Sequence, residues 1–364
     1  MNHTDPALRR LIDQVCTAHD EKCHIDIQGG NTKCFYGGAP RGQALRMDAL
    51  SGISSYEPTE LVVTVRAGTL LTELEETLAA QGQCLAFEPP RFAGGGTVGG
   101  MVAAGFSGPS RASVGAVRDY VLGATMLNGK GEVVTFGGQV MKNVAGYDVS
   151  RLLAGSLGVL GLVCEVSLKV LPFPAASATL LYEADEAHAL KMLSAWASQA
   201  LPLNASTWHR GRLTVRLAGA HAAVRAASSQ MGGTVLSPEL ATLWWNSVRD
   251  HGHPFFAMSD ADLARGEALW RLSLPATAVP LGLPGELFIE WGGAQRWWRG
   301  VLAPLQMRAA AMQAGGHATL FRGADKSAGV MTPLSPALAR IHRTLKAAFD
   351  PAAILNPGRL YADL

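Results

Sequence analysis

The residues best placed to do chemistry lie in three glycine-rich stretches. They are GGNT (residues 29–32), AGGGTVGG (93–100) and GFSGPSRASVG (105–115). Glycine loses more freedom on folding than any other residue, so such runs mark main chain that turns sharply or lies close against something. Successive backbone N–H groups in such turns form concave nests that hold anions, a pyrophosphate included, without a lysine. A single loop of this kind reads as a tight turn. Three in order, separated by strands, point to a nucleotide-type ligand.

Two familiar phosphate motifs fail here. Gly94, Gly96 and Gly99 satisfy G-x-G-x-x-G, but the lead-in is EPPRFA and not a buried strand, and the following helix has to stop by Gly105. No acidic residue closes a following strand at the usual distance, so a Rossmann reading is rejected. No Gly-Lys-Ser/Thr follows either, which excludes a Walker loop.

The remaining reactive side chains are scattered. Cys16, Cys23, Cys34, Cys84 and Cys164 form an odd set without a C-x-x-C pair, which argues against a disulfide framework, a zinc site or an iron–sulfur cluster. His251 and His253 in DHGHPFF, and His317 in GGHATLFR, are the candidate acid–base groups. Each is isolated near aromatics and reads first as a core or surface histidine. Arg322 reads as a solvated or paired arginine, and Trp244, Trp245, Trp291, Trp297 and Trp298 as core packing, with a subunit interface as the sharper alternative.

The elements that must position these residues follow from pattern. The 364 residues exceed the ~250–300 that one core supports, so two domains are expected. With 48% hydrophobic and 16% charged residues the chain is globular. A net charge of +2 with dispersed basic residues gives no case for nucleic acid. No apolar run approaches the ~20 residues of a transmembrane segment, and the polar start lacks a signal peptide core. The expectation is a cytoplasmic chain whose contact with a membrane runs through partners.

A helix is predicted over 5–19, then a strand at HIDIQ, a buried strand at 61–68, and a helix with Leu70, Leu71, Leu74 and Leu78 in a stripe. DYVLGATML and EVVTF read as a hairpin around NGKG, where Asn128-Gly129 is a strong turn signal. A short helix near DVSRLLAG and the long apolar strand VLGLVCEVSLKVL follow. LPFPAASA (171–178) reads as a linker. Beyond it come alternating strands and helices, read as a sheet covered on one face by helices. Ser335-Pro336 opens a last helix before FDPAAILNPGRL.

Taken together, GGNTKCFYG, EPPRFAGGGTVGGMVAAGFSGPSRASVGAVRDYVLGA, VMKNVAGYDVSRLLAGSLGVLGLVCEVSLKVLP and FDPAAILNPGRL resemble the vanillyl-alcohol oxidase (PCMH) type of FAD-binding domain. Within that family the chain is similar to the FAD-binding subunits of bacterial glycolate oxidases (glycolate dehydrogenases), and WRLSLP and IEWGGAQRW extend the similarity. The resemblance implies an α+β fold: an FAD-binding domain of two subdomains over 1–170, an inserted α+β cap over 171–330, and a C-terminal segment, 331–364, that returns to the FAD domain.

By the same resemblance, Gly29, Gly30, Asn31 and Thr32 wrap the pyrophosphate with Lys33 and Gly37 beside it. Thr97, Gly99 and Gly100 pass along the ribityl side, and Ser107, Gly108 and Gly115 continue the cradle. Gly161 and Val163 meet the adenine end, and Asn356 lies near the isoalloxazine. The glycine loops offer no histidine or cysteine where the family attaches flavin covalently, so noncovalent FAD is expected.

Related catalytic subunits carry an H-x-G-D-G-N motif that this chain lacks. The resemblance therefore implies a flavoprotein subunit that supports or relays electrons in a glycolate-oxidising complex. A paralogous FAD-containing catalytic subunit and an iron–sulfur subunit would be its partners. The alternative is a self-sufficient FAD-dependent oxidoreductase acting on a small hydroxy acid. Catalytic residues, electron acceptor and stoichiometry stay open at this point.

Overall fold

The computed structural model describes residues 5–92, 94–138 and 148–364. The expected VMKNVAGY motif, residues 140–147, lies outside the described residues. The chain divides into two compact units. The first gathers Met1–Phe106, Ala116–Pro172 and Pro333–Leu364, and the second Ser107–Gly115 and Phe173–Thr332.

In the first unit, the helix Pro6–Glu21 starts where the pattern places it. Asp5 accepts from the Ala7 N–H at 2.9 Å, Pro6 fills the first helical position, and Leu8, Leu11, Val15 and Ala18 are buried. A five-stranded antiparallel sheet runs in the order Ile53–Glu57, Val62–Arg66, Leu162–Lys169, Val121–Leu127, Val133–Gly137. Leu162–Lys169 takes the centre with six of its eight residues buried, as a strand covered on both sides must have.

The expected hairpin around NGKG is present, and Glu132 joins its loop. Leu127 pairs with Val133, so five residues turn. Asn128 Oδ1 organises them by accepting from the N–H groups of Lys130 and Glu132 at 2.9 and 3.0 Å.

The C-terminal segment closes this unit. Ser335 caps the helix Pro336–Phe349, whose Lys346 is buried and donates to Asp350 Oδ2 and the Val159 and Leu355 carbonyls at 2.7–2.8 Å. The chain then returns beside the parallel pair Ile25–Gln28 and Gln43–Arg46. The Ile25 N–H donates to the Ile354 carbonyl at 2.8 Å, and the Asn356 N–H to the Ile25 carbonyl at 3.0 Å.

The second unit holds an eight-stranded sheet ordered Thr234–Val235, Ala176–Glu183, Arg212–Gly219, Leu203–His209, Glu286–Glu290, Gln295–Gly300, Ala268–Ser273, His317–Arg322. Ala176–Glu183 begins inside the stretch read as a linker. Its small residues carry little strand signal, and eight paired positions against Arg212–Gly219 make it a strand.

Helices cover one face, with Val224 and Ala227 on Leu180 and Leu217, and Met307 and Ala311 on Trp270 and Leu272. The other face is covered too, a departure from the one-sided layer expected. There Phe288, Trp297 and Phe321 meet His251, Phe255 and Phe256 edge to face or tilted, at centroid distances near 5 Å. Trp245, Trp297 and Trp298 are buried, as core packing requires.

Ser107–Gly115 groups with this unit, not with the first 170 residues. The Trp291 indole N–H donates to the Gly108 carbonyl at 3.0 Å, the Arg111 guanidinium lies 4.5 Å from the Trp291 ring centroid, and Ser113 Oγ donates to the Asn204 carbonyl at 2.9 Å.

Candidate functional site

The strand Ile25–Gln28 runs out of the parallel pair into the first glycine loop. The second glycine loop meets it main chain to main chain. A Cβ at Gly30 would run into the Gly95 carbonyl, and one at Gly99 would lie 2.6 Å from the Ala67 Cβ. Backbone bonds lock the second loop down: Leu71 N–H to Gly96 O at 2.8 Å, Val98 N–H to Thr69 O at 2.9 Å, and Gly99 N–H to Ala67 O at 2.8 Å. Thr97 caps the helix Val98–Ala104 by accepting from the Gly100 N–H at 3.3 Å. These glycines are therefore required first by loop-on-loop packing, which leaves a wall of bare main chain.

That wall bounds an open cleft within the first unit. Gly29, Gly30, Asn31, Thr32, Lys33, Thr97, Gly99, Gly100, Gly161, Val163 and Asn356 all line it. Gly37 is buried beneath the C-terminal segment, where a Cβ would come within 2.7 Å of the Arg359 carbonyl. Ser107, Gly108 and Gly115 belong to the second unit and are not among the lining residues.

Lys33 is the titratable group that stands out. Its ammonium donates to Thr32 Oγ1 at 3.2 Å and lies 5.6 Å from the Phe92 ring centroid. Burial lowers it from the usual lysine value to about 8. Among the described residues no carboxylate pairs with it.

Asn356 lines the cleft and also ties the fold together. Its Oδ1 accepts from the Ile27 N–H at 2.7 Å and its Nδ2 donates to the Leu157 carbonyl at 2.6 Å. The side chain is spent on tying two walls of the cleft together. Its φ of 42° is one that asparagine tolerates better than most residues.

Arg359 was not anticipated. Its guanidinium is buried and donates to the carbonyls of Tyr36 at 2.7 Å, Cys34 at 3.4 Å and Gly38. It pins the loop that follows Lys33, and its one sequence signal is that it is the sole charged residue in ILNPGRL. Cys34, which lies outside the glycine runs, lines the cleft as well.

The three histidines sit in the second unit. His251 stacks on Phe256 at 4.3 Å and touches Trp297 and Phe321; burial, then Arg322 and Arg271, push it down to about 3. Burial lowers His253 and His317 also. A histidine held neutral in an aromatic core packs; it does not shuttle protons at neutral pH.

Over 354 residues the chain is 43% identical to the glycolate oxidase subunit GlcE of Escherichia coli (strain K12), covering 97% of each protein. The chain belongs to the GlcE family of glycolate oxidase subunits. Residues 9–137 of this GlcE family member match the FAD binding domain, and 306–360 the C-terminal domain of FAD linked oxidases. Glycolate oxidase subunit GlcD of Bacillus subtilis (strain 168) is 30% identical over 205 residues, 55% of this chain and 42% of that protein. Alkyldihydroxyacetonephosphate synthase shares the fold, with a TM-score of 0.69 at 17% identity over 96% of this chain and 74% of that one. The cofactor of this family is FAD, and its members are oxidoreductases.

Proposed function

We propose that this chain is the FAD-holding subunit of a complex that oxidises glycolate, a 2-hydroxy acid, to the 2-oxo acid. The observation that carries the proposal is the cleft of the first unit, where main chain from both glycine loops and one half-buried ammonium face the same space. Those features fit a dinucleotide. Bare main chain admits a long flat ligand, nested N–H groups suit a diphosphate, and Lys33 supplies a compact positive charge. Gly29–Thr32 with Lys33 would hold the diphosphate, and Gly161 and Val163 the adenine end. Bound FAD supplies a two-electron acceptor. The protein's part is to orient it and shield it from water, with Asn356 and Arg359 keeping the walls in register.

Attachment is noncovalent in this reading, since no histidine is among the lining residues. The partners are a paralogous FAD-containing catalytic subunit and an iron–sulfur subunit that carries electrons onward. The assembly is cytoplasmic, and any contact with the membrane's inner face comes through those partners. Among the described residues no helix is long and apolar enough to cross a membrane. A supporting role, without its own acid–base set, agrees with neutral His251 and with the chain's lack of an H-x-G-D-G-N motif.

The test is glycolate turnover with an artificial acceptor, by the purified chain and by the chain co-expressed with its GlcD-like and iron–sulfur partners. The chain alone is expected to bind one FAD and turn over slowly or not at all, with activity appearing in the assembly. Robust turnover by the isolated chain would transfer the assignment to a self-sufficient oxidoreductase.

A further inference from the structure

Lys33 does no work for the fold that the described residues reveal. An ammonium carries three N–H donors. One goes to Thr32 Oγ1, the Phe92 ring lies to one side, and the rest of the group faces the glycine turn, 3.6 Å from where a Gly96 Cβ would stand and 4.0 Å from one on Gly100. The charged groups on the surrounding elements are engaged elsewhere. Arg91 pairs with Glu75 on the helix Leu71–Ala79 at 2.5 Å, and Asp26 accepts from Gln28 Nε2 at 2.6 Å and acts on Arg359.

We propose that Lys33 is a proton-gated anchor for the diphosphate of the bound dinucleotide, so that the cleft loads when the side chain is charged and empties as it loses its proton. The proposal rests on the reading that this cleft holds FAD. A diphosphate within reach supplies the negative charge that the protein withholds, and it keeps the proton on the amine. Carboxylates and guanidinium ions do not change charge between pH 7 and pH 9. Cys34→Ser removes the neighbouring thiol, so that the amine alone is tested. Burial has already brought Lys33 to about 8, inside the window.

The experiment uses the flavin-free full chain carrying Cys34→Ser, titrated with FAD, with ADP-ribose (the same diphosphate without the flavin) and with riboflavin (the flavin without phosphate). If the neutral amine contributes no attraction, FAD and ADP-ribose bind about tenfold more weakly at pH 9 than at pH 7, the ratio of charged fractions for a group titrating at about 8. Riboflavin affinity should not change with pH. Lys33→Met is expected to bind FAD at least about tenfold more weakly than the parent at pH 7, with no pH dependence, because its side chain is never charged. Lys33→Arg, always charged, should keep its affinity at pH 9.

Equal affinity of the parent for FAD at both pH values, or a Lys33→Met variant with the parent's pH slope, overturns the gate and leaves the FAD site standing. Failure of the parent to bind FAD at pH 7 overturns the site and the gate together.

Discussion

Replacing Asn356 separates a flavin contact from a backbone tie. Asn356→Gly keeps the backbone free to adopt φ of 42° and removes both side-chain bonds, at 2.7 Å to the Ile27 N–H and 2.6 Å to the Leu157 carbonyl. Each partner left unsatisfied costs about 1–3 kcal/mol, so the pair should cost about 2–6 kcal/mol. Asn356→Ala should cost about 1 kcal/mol more, because a Cβ strains the left-handed backbone. All eight tryptophans fall between Trp196 and Trp298 in the second unit, so their fluorescence does not report directly on this site. Amide hydrogen exchange of the apo protein does. Faster exchange at Ile27 and across the pair Ile25–Gln28 and Gln43–Arg46 is expected in both variants, with urea unfolding by circular dichroism giving the magnitude. A loss below about 1 kcal/mol together with a shifted flavin spectrum would refute the reasoning. It would show that the side chain serves the ring system.

Three further outcomes are expected. Gly30→Ala drives a methyl into the Gly95 carbonyl, so the two loops must separate; the variant should purify without the flavin absorbance, and stoichiometric flavin in it would contradict the loop-on-loop assignment. His251 has its folded value depressed to about 3, so the unfolded chain takes up a proton first as pH falls below about 6.5, and stability is lost from there downward. Between pH 6.5 and pH 5 this amounts to about 2 kcal/mol, which His251→Asn should remove from the slope of a denaturation series; an unchanged slope would mean that the ring is not held neutral. Acid precipitation should release the flavin into the supernatant and leave a colourless pellet. A pellet that stays fluorescent in the parent and not in Cys34→Ser would reveal a covalent bond from the one cysteine among the lining residues.

What the amino-acid sequence determined by itself is whatever depends on neighbours a few positions away. Asp5-Pro6 and Ser335-Pro336 start helices because a cap and its first turn are local. Leu162–Lys169 is central because a strand covered on both faces reads as an apolar run. The glycine loops were legible as the cleft because their density had no other local use.

Tertiary structure decided whatever depends on a partner far along the chain. Gly30 needs its missing side chain for Gly95, 65 positions on. Asn356 meets Ile27 across 329 positions, and Arg359 meets Tyr36 across 323. Gly108 belongs with Trp291, 183 positions away, so the third glycine stretch left the unit it was read with. The second covered face of the large sheet is of the same kind, since Phe256 and Phe288 touch only once the strands are in register. Local propensity carries no record of such pairs. They form because a buried N–H, carbonyl or ring must find its complement wherever folding brings one near.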